Sequence, residues 1–408
     1  MKLRVIFAAV LTLVIASSLA TAQIKATGGK VLIPDSSIEK PLEIGQFAHT
    51  NVQVFLPAKP LLSKQTAGPP YLGFAYETPA SLACVYGLVP AVAGCNPNIV
   101  KATPAGGNRT IAIVDAYDAP HAANDLAKFS SQFGLPPASF QIVYASGTRP
   151  AYNVGWELEE SLDVQWAHAM APAARIVLVE AASNSFTDLL TAEDVASKLV
   201  SAAGGGEISN SWGGSEFIGE ASYDSHFVRP GVVFLASAGD TPGTIWPSVS
   251  PNVVAAGGTT VRRNPANGNY VTEAPWDLAG GGLSVIERRP SYQNGISSVV
   301  GGFRGVPDLS FDSNPVTGVW VYDSSVGGWN ILGGTSVASP ALAGILNLAG
   351  SFYSSSNAEL TAIYNKLSVA ADFTDITAGY CGPYAGYSAA TGWDFCTGIG
   401  SNKGTVGK

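Results

Sequence analysis

Gly333-Gly334-Thr335-Ser336-Val337-Ala338-Ser339-Pro340 leads into an apolar run from Ala341 to about Ala349. Two glycines let the backbone pass close to a neighbour, and a Thr-Ser pair then opens a helix-compatible segment. Ser336 falls at the first turn of that helix, where free N–H groups and the helix dipole favour developing negative charge. A serine there is placed to attack a carbonyl, although the same residues also serve as an ordinary loop and helix cap. Pro340 reads as tolerable because a first turn has no intrahelical N–H bond to lose. A buried helix that starts on such a serine belongs to a layered α/β fold if the rest of the chain supplies parallel strands.

It does. Thr110–Asp115, Phe140–Ala145, Ala174–Glu180, Glu207–Trp212, Gly231–Ser237 and Asn252–Ala256 read as short apolar strands. Ala122–Phe133, Trp156–Ala171 and Phe186–Ala203 read as the helices between them. Strand–helix alternation implies a mainly parallel sheet with right-handed crossovers and helices on both faces. Ligands bind such sheets beyond the carboxyl ends of the strands. Asp115, Ser211 and Asp240 all fall at or just past a strand end, so they are expected on one rim. Residues 262–332 are rich in Gly, Pro and aromatics and read as loops and small strands.

Composition sets the wider limits. The chain has 408 residues, 13% charged and 46% hydrophobic, with a formal net charge of -8, which describes a well-packed globular protein with no basic surface for nucleic acid. Few ionisable groups also suit an acidic milieu. Lys2 and Arg4 precede the apolar run Val5–Ala20, and Ala20-Thr21-Ala22 offers a small-x-small cleavage site. This reads as a signal peptide over residues 1–22, because the run falls short of the ~20 apolar residues of a spanning helix. Export without a membrane anchor follows, and a monomer is the default. The four cysteines form two close pairs in sequence, Cys84 with Cys95 and Cys381 with Cys396. Local disulfides are the natural pairing in an exported chain, though four cysteines allow three connectivities. Residues 23–68, punctuated by prolines, read as a short pro-segment or N-terminal arm before a catalytic domain over 69–402.

A serine nucleophile needs a base. Of the four histidines, His168 shares a helix with several acids, but it lies nine residues past Glu159 and so, at about 100° per residue, faces the other way. It reads as a packed or hydrogen-bonded helix histidine. His121 follows Asp115 too closely, and His49 and His226 lack an acidic or Gly-rich context. The carboxylates fit better. In Trp156-Glu157-Leu158-Glu159-Glu160-Ser161-Leu162-Asp163, Glu159 and Asp163 stand at i and i+4 on one helix face. Glu160 and Asp163, at i and i+3, form a second possible pair, and a solvated acidic face is the plain alternative to both. A buried carboxylate pair would split its pKa values, and a Glu can accept a serine proton in acid, where His is already cationic. Ala236-Ser237-Ala238-Gly239-Asp240 adds an acid after a Gly turn. That acid reads as a turn residue, a metal ligand, or a protonated donor to an oxyanion.

Taken in order, the Glu159-x-x-x-Asp163 helix, Ser209-Asn210-Ser211-Trp212-Gly213-Gly214, Ser237-Ala238-Gly239-Asp240 and Gly334-Thr335-Ser336-Val337-Ala338-Ser339-Pro340 resemble the sedolisin (serine-carboxyl peptidase) family, from about Thr78 to Ser401. The last motif alone is shared with subtilisin-like peptidases; the acidic helix and the lack of a His-Gly motif favour sedolisins. The resemblance implies a subtilisin-like three-layer α/β fold and a secreted, acid-acting serine endopeptidase on protein or peptide substrates. It implies Ser336 as nucleophile, Glu159 as general base, Asp163 as its orienting acid and Asp240 as oxyanion-hole donor. Ser211, Trp212 and Gly213 would pair with the substrate backbone. Asp115 stands where subtilisin-like enzymes carry their triad acid and is not catalytic in the sedolisin pattern. Asp375-Ile376-Thr377 and Ala390-Thr391-Gly392-Trp393-Asp394 resemble the family's structural calcium site. Asp375 and Asp394 would give side-chain oxygens, and Ile376, Ala390 and Gly392 carbonyls, a hard oxygen set that suits Ca²⁺. Ala390 stands where the family usually has Gly, and Cys381 and Cys396 bracket the loop. The family is usually made with a long folded pro-domain, and residues 23–68 are too few for one. The competing readings are a silent binding protein on this fold and a subtilisin-like enzyme with a His-based triad.

Overall fold

The computed structural model describes residues 28–58, 68–71, 73–382, 386–406 and 408. The signal-peptide reading and part of the 23–68 segment lie outside these residues. The main sheet runs, in spatial order, Phe373–Thr374, Ser401–Asn402, Leu309–Asp312, Val254–Arg263, Val232–Ser237, Gly206–Asn210, Thr110–Ala116, Arg175–Ala181 and Ser139–Tyr144, with Tyr270–Pro275 added beside Val254–Arg263. Phe373–Thr374 and Tyr270–Pro275 pair antiparallel. The rest of this path is parallel. From Thr110–Ala116 the chain first builds one flank of the sheet and then crosses back to build the other. The three strands around this reversal end at Asp115, Ser211 and Asp240, which share the expected rim.

Two apolar layers hold the sheet between helices. On one face Leu158, Leu162 and Trp166 meet Val337, Leu342 and Ile345 and the strand residues Ile111 and Ile113. On the other, Leu189, Leu190 and Ala196 of the helix Phe186–Ala202 pack on Val114, Val179 and Phe234. This is the three-layer α/β fold the alternation predicted. The helix Val154–Met170 starts at Asn153, whose side chain accepts the N–H groups of Gly155 at 3.0 Å and Trp156 at 3.3 Å. Fifteen of its residues, Trp156 to Met170, are buried, so it has no solvated acidic face. It lies directly along the helix Thr335–Ala349. A side chain at Gly344 would put a Cβ 2.6 Å from the Cβ of Met170 and 2.9 Å from the Ala167 carbonyl oxygen, so the two backbones approach this closely only through glycine.

Pro340 corrects the first-turn reading. The helix starts at Thr335, so Pro340 lies beyond its first turn and leaves the Ser336 carbonyl without its i+4 N–H partner. The Ser211 hydroxyl donates to that carbonyl at 3.4 Å instead. The stretch 262–332 also holds more order than its composition suggests: it supplies the central strand Leu309–Asp312 and the hairpin Val319–Asp323 with Gly328–Gly333.

The described part of the N-terminal arm is woven into this body. Gly29–Leu32 pairs antiparallel with Gln53–Pro57, which pairs in turn with the strand Gly328–Gly333 that leads into Ser336. Between them, His49–Thr50 pairs antiparallel with Trp212–Ser215. The arm thus runs past Ser336 with one strand on each side of it.

Candidate active site

The carboxylate helix delivers Glu159 and Asp163 to the interior, both fully buried. Burial is the largest cause holding each carboxyl well above its usual range. For Glu159 the charges of Asp115 and Asp240 add to it, while the Ser336 hydroxyl and the Asn51 N–H oppose it. For Asp163 the Glu159 charge adds to it and the Ser211 hydroxyl opposes it. Neither Glu159 oxygen has a partner at full hydrogen-bond distance. Asp163 Oδ1 accepts from the Ser211 hydroxyl at 2.9 Å and Oδ2 is unpartnered. Glu159 therefore acts on Asp163 through charge and not through a direct hydrogen bond. Glu160, the other possible partner of Asp163, is buried too, but the charges that raise its pKa beyond burial come first from Glu180 and Asp115.

Ser336 is fully buried at the start of its helix. Its hydroxyl donates to the Ser211 carbonyl at 3.3 Å. Gly334, with φ of 108°, turns the chain into this position; a Cβ there would meet the Asn51 carbonyl oxygen at 2.0 Å and Asp240 Oδ2 at 2.5 Å. Asp240 follows the strand Val232–Ser237. Its Oδ1 accepts from the Thr335 N–H at 2.7 Å and the Thr335 hydroxyl at 3.0 Å, and its Oδ2 is buried without a partner. Burial pushes its pKa up to about 7 against those two bonds. With Oδ1 occupied as an acceptor, the proton belongs on Oδ2, which then points a donor toward Gly334. A neutral carboxyl at Asp240 and the Ser336 N–H, which donates to the Asn51 carbonyl at 3.1 Å, are two donors on one side of Gly334, the arrangement that stabilises an oxyanion.

Two residues outside the expected catalytic set also lie here, and only Asn51 carries no local sequence signal. Asp115 raises Glu159 through its charge and is itself raised by burial and then by Asp163, and both of its own oxygens are unpartnered. Asn51, from the arm, accepts the Ser336 N–H on its carbonyl at 3.1 Å and donates its own N–H to the Ser211 carbonyl at 3.3 Å. Trp212 and Gly213, the predicted substrate edge, pair with Thr50 and His49. The four histidines bond elsewhere: His49 to the Thr50 carbonyl, His121 to Glu157, His168 to the Pro136 carbonyl and His226 to Asp194. His168 is thus the hydrogen-bonded helix residue that its position suggested.

The C-terminal loop ties four of the five residues read as a calcium site into two hydrogen-bonded pairs. Asp375 Oδ2 accepts the Gly392 N–H at 2.9 Å, and Asp394 Oδ2 accepts the Ala390 N–H at 3.0 Å. Asp394 Oδ1 is taken by the N–H groups of Cys396 and Thr397, each at 2.9 Å. Among the described residues no three His, Cys, Asp or Glu side chains form a metal-holding group. The oxygens present match a hard cation in kind: Asp394 uses Oδ1 to fold its own loop, while its Oδ2 and Asp375 Oδ2 each accept one backbone N–H and keep a lone pair for an ion. Cys381–Cys396 and Cys84–Cys95 are both disulfides, the local pairing.

No family model matches the chain. It is 28% identical over 355 residues to sedolisin of Pseudomonas sp. (strain 101), covering 75% of this chain and 58% of that protein. It is 28% identical over 337 residues to kumamolisin of Bacillus sp. (strain MN-32), covering 73% and 59%. With tripeptidyl-peptidase 1 of Dictyostelium discoideum it shares 27% over 320 residues, covering 68% and 50%. The chain thus spans between half and three fifths of the length of these relatives. Among solved structures, Pseudomonas sedolisin in complex with two molecules of pseudo-iodotyrostatin superposes with a TM-score of 0.67 at 27% identity, covering 80% of this chain and 95% of that one.

Proposed function

We propose that this chain, similar to sedolisin and kumamolisin over about three quarters of its length, is a secreted serine-carboxyl endopeptidase acting on proteins or peptides in acid. One observation carries the reading: Ser336, Glu159, Asp163 and Asp240 converge from three separate elements, and burial raises all three carboxyls. A carboxyl that stays neutral in acid can donate to an oxyanion at low pH, and the ionised fraction of Glu159 can serve as the base. Ser336 Oγ attacks the scissile carbonyl and Glu159 takes its proton. The Ser336 N–H and the protonated Asp240 hold the oxyanion. Glu159 then gives the proton to the leaving amine, and water releases the acyl group by the same steps in reverse. Asp163, one helical turn from Glu159 and tied to Ser211, orients the base. Ser211, Trp212 and Gly213 offer backbone groups to an extended peptide.

Secretion is supported by the charged and apolar N-terminus and the two disulfides; among the described residues no helix is long and apolar enough to cross a membrane. We further propose that the C-terminal loop takes one structural calcium ion, held by Asp375, Asp394 and the carbonyls of Ile376, Ala390 and Gly392. When bound, the ion would pin that loop and take no part in the reaction.

The test is a choice of substrates for the purified chain after incubation in acid: denatured casein against a soluble polysaccharide, from pH 2 to 8. Release of peptides with an acid optimum supports the peptidase. Release of sugar, or of neither product from a folded protein, would refute it; the second result would leave a binding protein on this fold.

A further inference from the structure

Two segments flank Ser336: Ser211–Gly213, whose Ser211 carbonyl accepts its hydroxyl, and Ser237–Gly239, which leads into Asp240. A residue whose carbonyl meets the Ser336 N–H starts its side chain in the gap between them, and Asn51 marks the place. Its carbonyl accepts the Ser336 N–H at 3.1 Å, and its own N–H donates to the Ser211 carbonyl at 3.3 Å. Its side chain then crosses to the second segment, where Nδ2 donates to the Ser237 hydroxyl at 2.7 Å. The residue is 1% exposed there, and Oδ1 has no partner. Among the described residues, the Ser237 hydroxyl is the one hydrogen-bond partner of this side chain.

The same gap is closed by Ile245. A Cβ on Gly213 would lie 2.6 Å from Ile245 Cδ1, and a Cβ on Gly239 would lie 3.3 Å from the same atom. Ile245 therefore fills the space that two residues without side chains leave on opposite sides of the gap. Its own strand, Ile245–Trp246, pairs antiparallel with Ser215 and Gly214, which fixes it in place, and its side chain is buried. The slot is thus short, with a hydroxyl on one wall and a branched apolar floor.

We propose that Ser237 and Ile245 set specificity on the acyl side of the cut, and that the slot selects asparagine in a substrate. This rests on the proposed peptidase reading. Asparagine is long enough to reach the Ser237 hydroxyl and short enough to end there. Leucine has the same heavy-atom shape but leaves that buried hydroxyl without a partner, which a site built around a hydrogen bond rejects. Glutamine and phenylalanine are longer and run into Ile245. Aspartate fits with a proton on its carboxyl, whose O–H takes the place of the amide. Ionised, it is refused, because neither Ser237, Ile245 nor the flanking glycines can balance a buried charge.

The experiment gives the full chain, after incubation in acid, a set of peptides that differ in one central residue: Asn, Asp, Leu, Gln or Phe. Mass spectrometry locates and times each cut at pH 3 and pH 5, with casein as a second substrate. Cutting after Asn should exceed cutting after Leu by roughly tenfold or more, with little after Gln or Phe. Cutting after Asp should fall relative to Asn as the pH rises. Ser237→Ala should erase the preference of Asn over Leu, and Ile245→Ala should admit Gln and Phe. Each ratio is read within one protein, so a general loss of stability in a variant cancels. Cutting after Leu, Gln or Phe as fast as after Asn would overturn the inference and leave the peptidase standing. So would casein digested with none of the set cut, an Asn-to-Leu ratio unmoved by Ser237→Ala, or Gln and Phe still refused by Ile245→Ala. A folded chain that cuts neither the peptides nor casein would overturn both.

Discussion

Replacing Asp240 with Asn tests the electrostatics of the oxyanion position. Asp240 titrates near 3.8 in an unfolded chain and at about 7 in the fold. Between those values the folded protein keeps a proton that the unfolded chain has released. Unfolding then releases a proton, so raising the pH favours the unfolded state. The loss is absent below about pH 3.8 and complete above about pH 7, and its size is roughly 4 kcal/mol from 1.36 kcal/mol per pKa unit. Asn has the same shape, keeps an acceptor for the Thr335 N–H and hydroxyl, and cannot ionise. The substitution can cost stability at pH 3, but the variant must then gain on the parent as pH rises. Denaturant unfolding of both proteins, each also carrying Ser336→Ala to stop self-digestion, measures this at pH 3 and pH 8. The difference between them should move by roughly 4 kcal/mol in the variant's favour. A difference constant to within about 1 kcal/mol would mean that Asp240 ionises normally, and the donor role assigned to it would fail.

Other consequences are as direct. Asp115→Asn removes a negative charge that raises the Glu159 pKa, so the acidic limb of the pH–rate profile should move to lower pH; a shift the other way refutes the coupling. Gly344→Ala places a methyl group against Met170 and the Ala167 carbonyl and should cost about 1–3 kcal/mol in denaturant unfolding. A neutral result would mean that the two central helices are free to separate. Chelation with EGTA should lower the melting temperature, and Asp375→Ala should abolish that sensitivity; a melting temperature indifferent to calcium removes the ion from the account.

How far the sequence speaks depends on whether a residue's role is local. The strands around Thr110–Ala116 and the helices between them are periodic within their own segments, and they appear within one or two residues of their expected ends. The Glu159–Asp163 spacing is likewise fixed by helix geometry alone. Burial of that helix on every side was not legible, because its acids are spread around it and only the opposing helix Thr335–Ala349 and the sheet show that none meets water. The strand Val254–Arg263 runs past Ala256 because Gly257 and Gly258, which interrupt the apolar pattern, make room for Pro307 and Trp276. Asn51 had no signal at all. Nothing near it in sequence marks it, and its place is set by strands 160 and more residues away in the chain. The role of Pro340 likewise depended on a distant hydroxyl, that of Ser211.

The central claim is that a glutamate, not a histidine, activates Ser336. The measurement that tests it most directly is the rate of casein hydrolysis from pH 2 to 8 by the wild-type chain, Ser336→Ala, Glu159→Gln and His168→Ala, each incubated in acid and checked for folding by circular dichroism. The account predicts an acid optimum in the wild type, no turnover with Ser336→Ala or Glu159→Gln, and a working His168→Ala enzyme. Turnover surviving in Glu159→Gln, or lost with the histidine alone at an optimum of pH 7 or above, would contradict it.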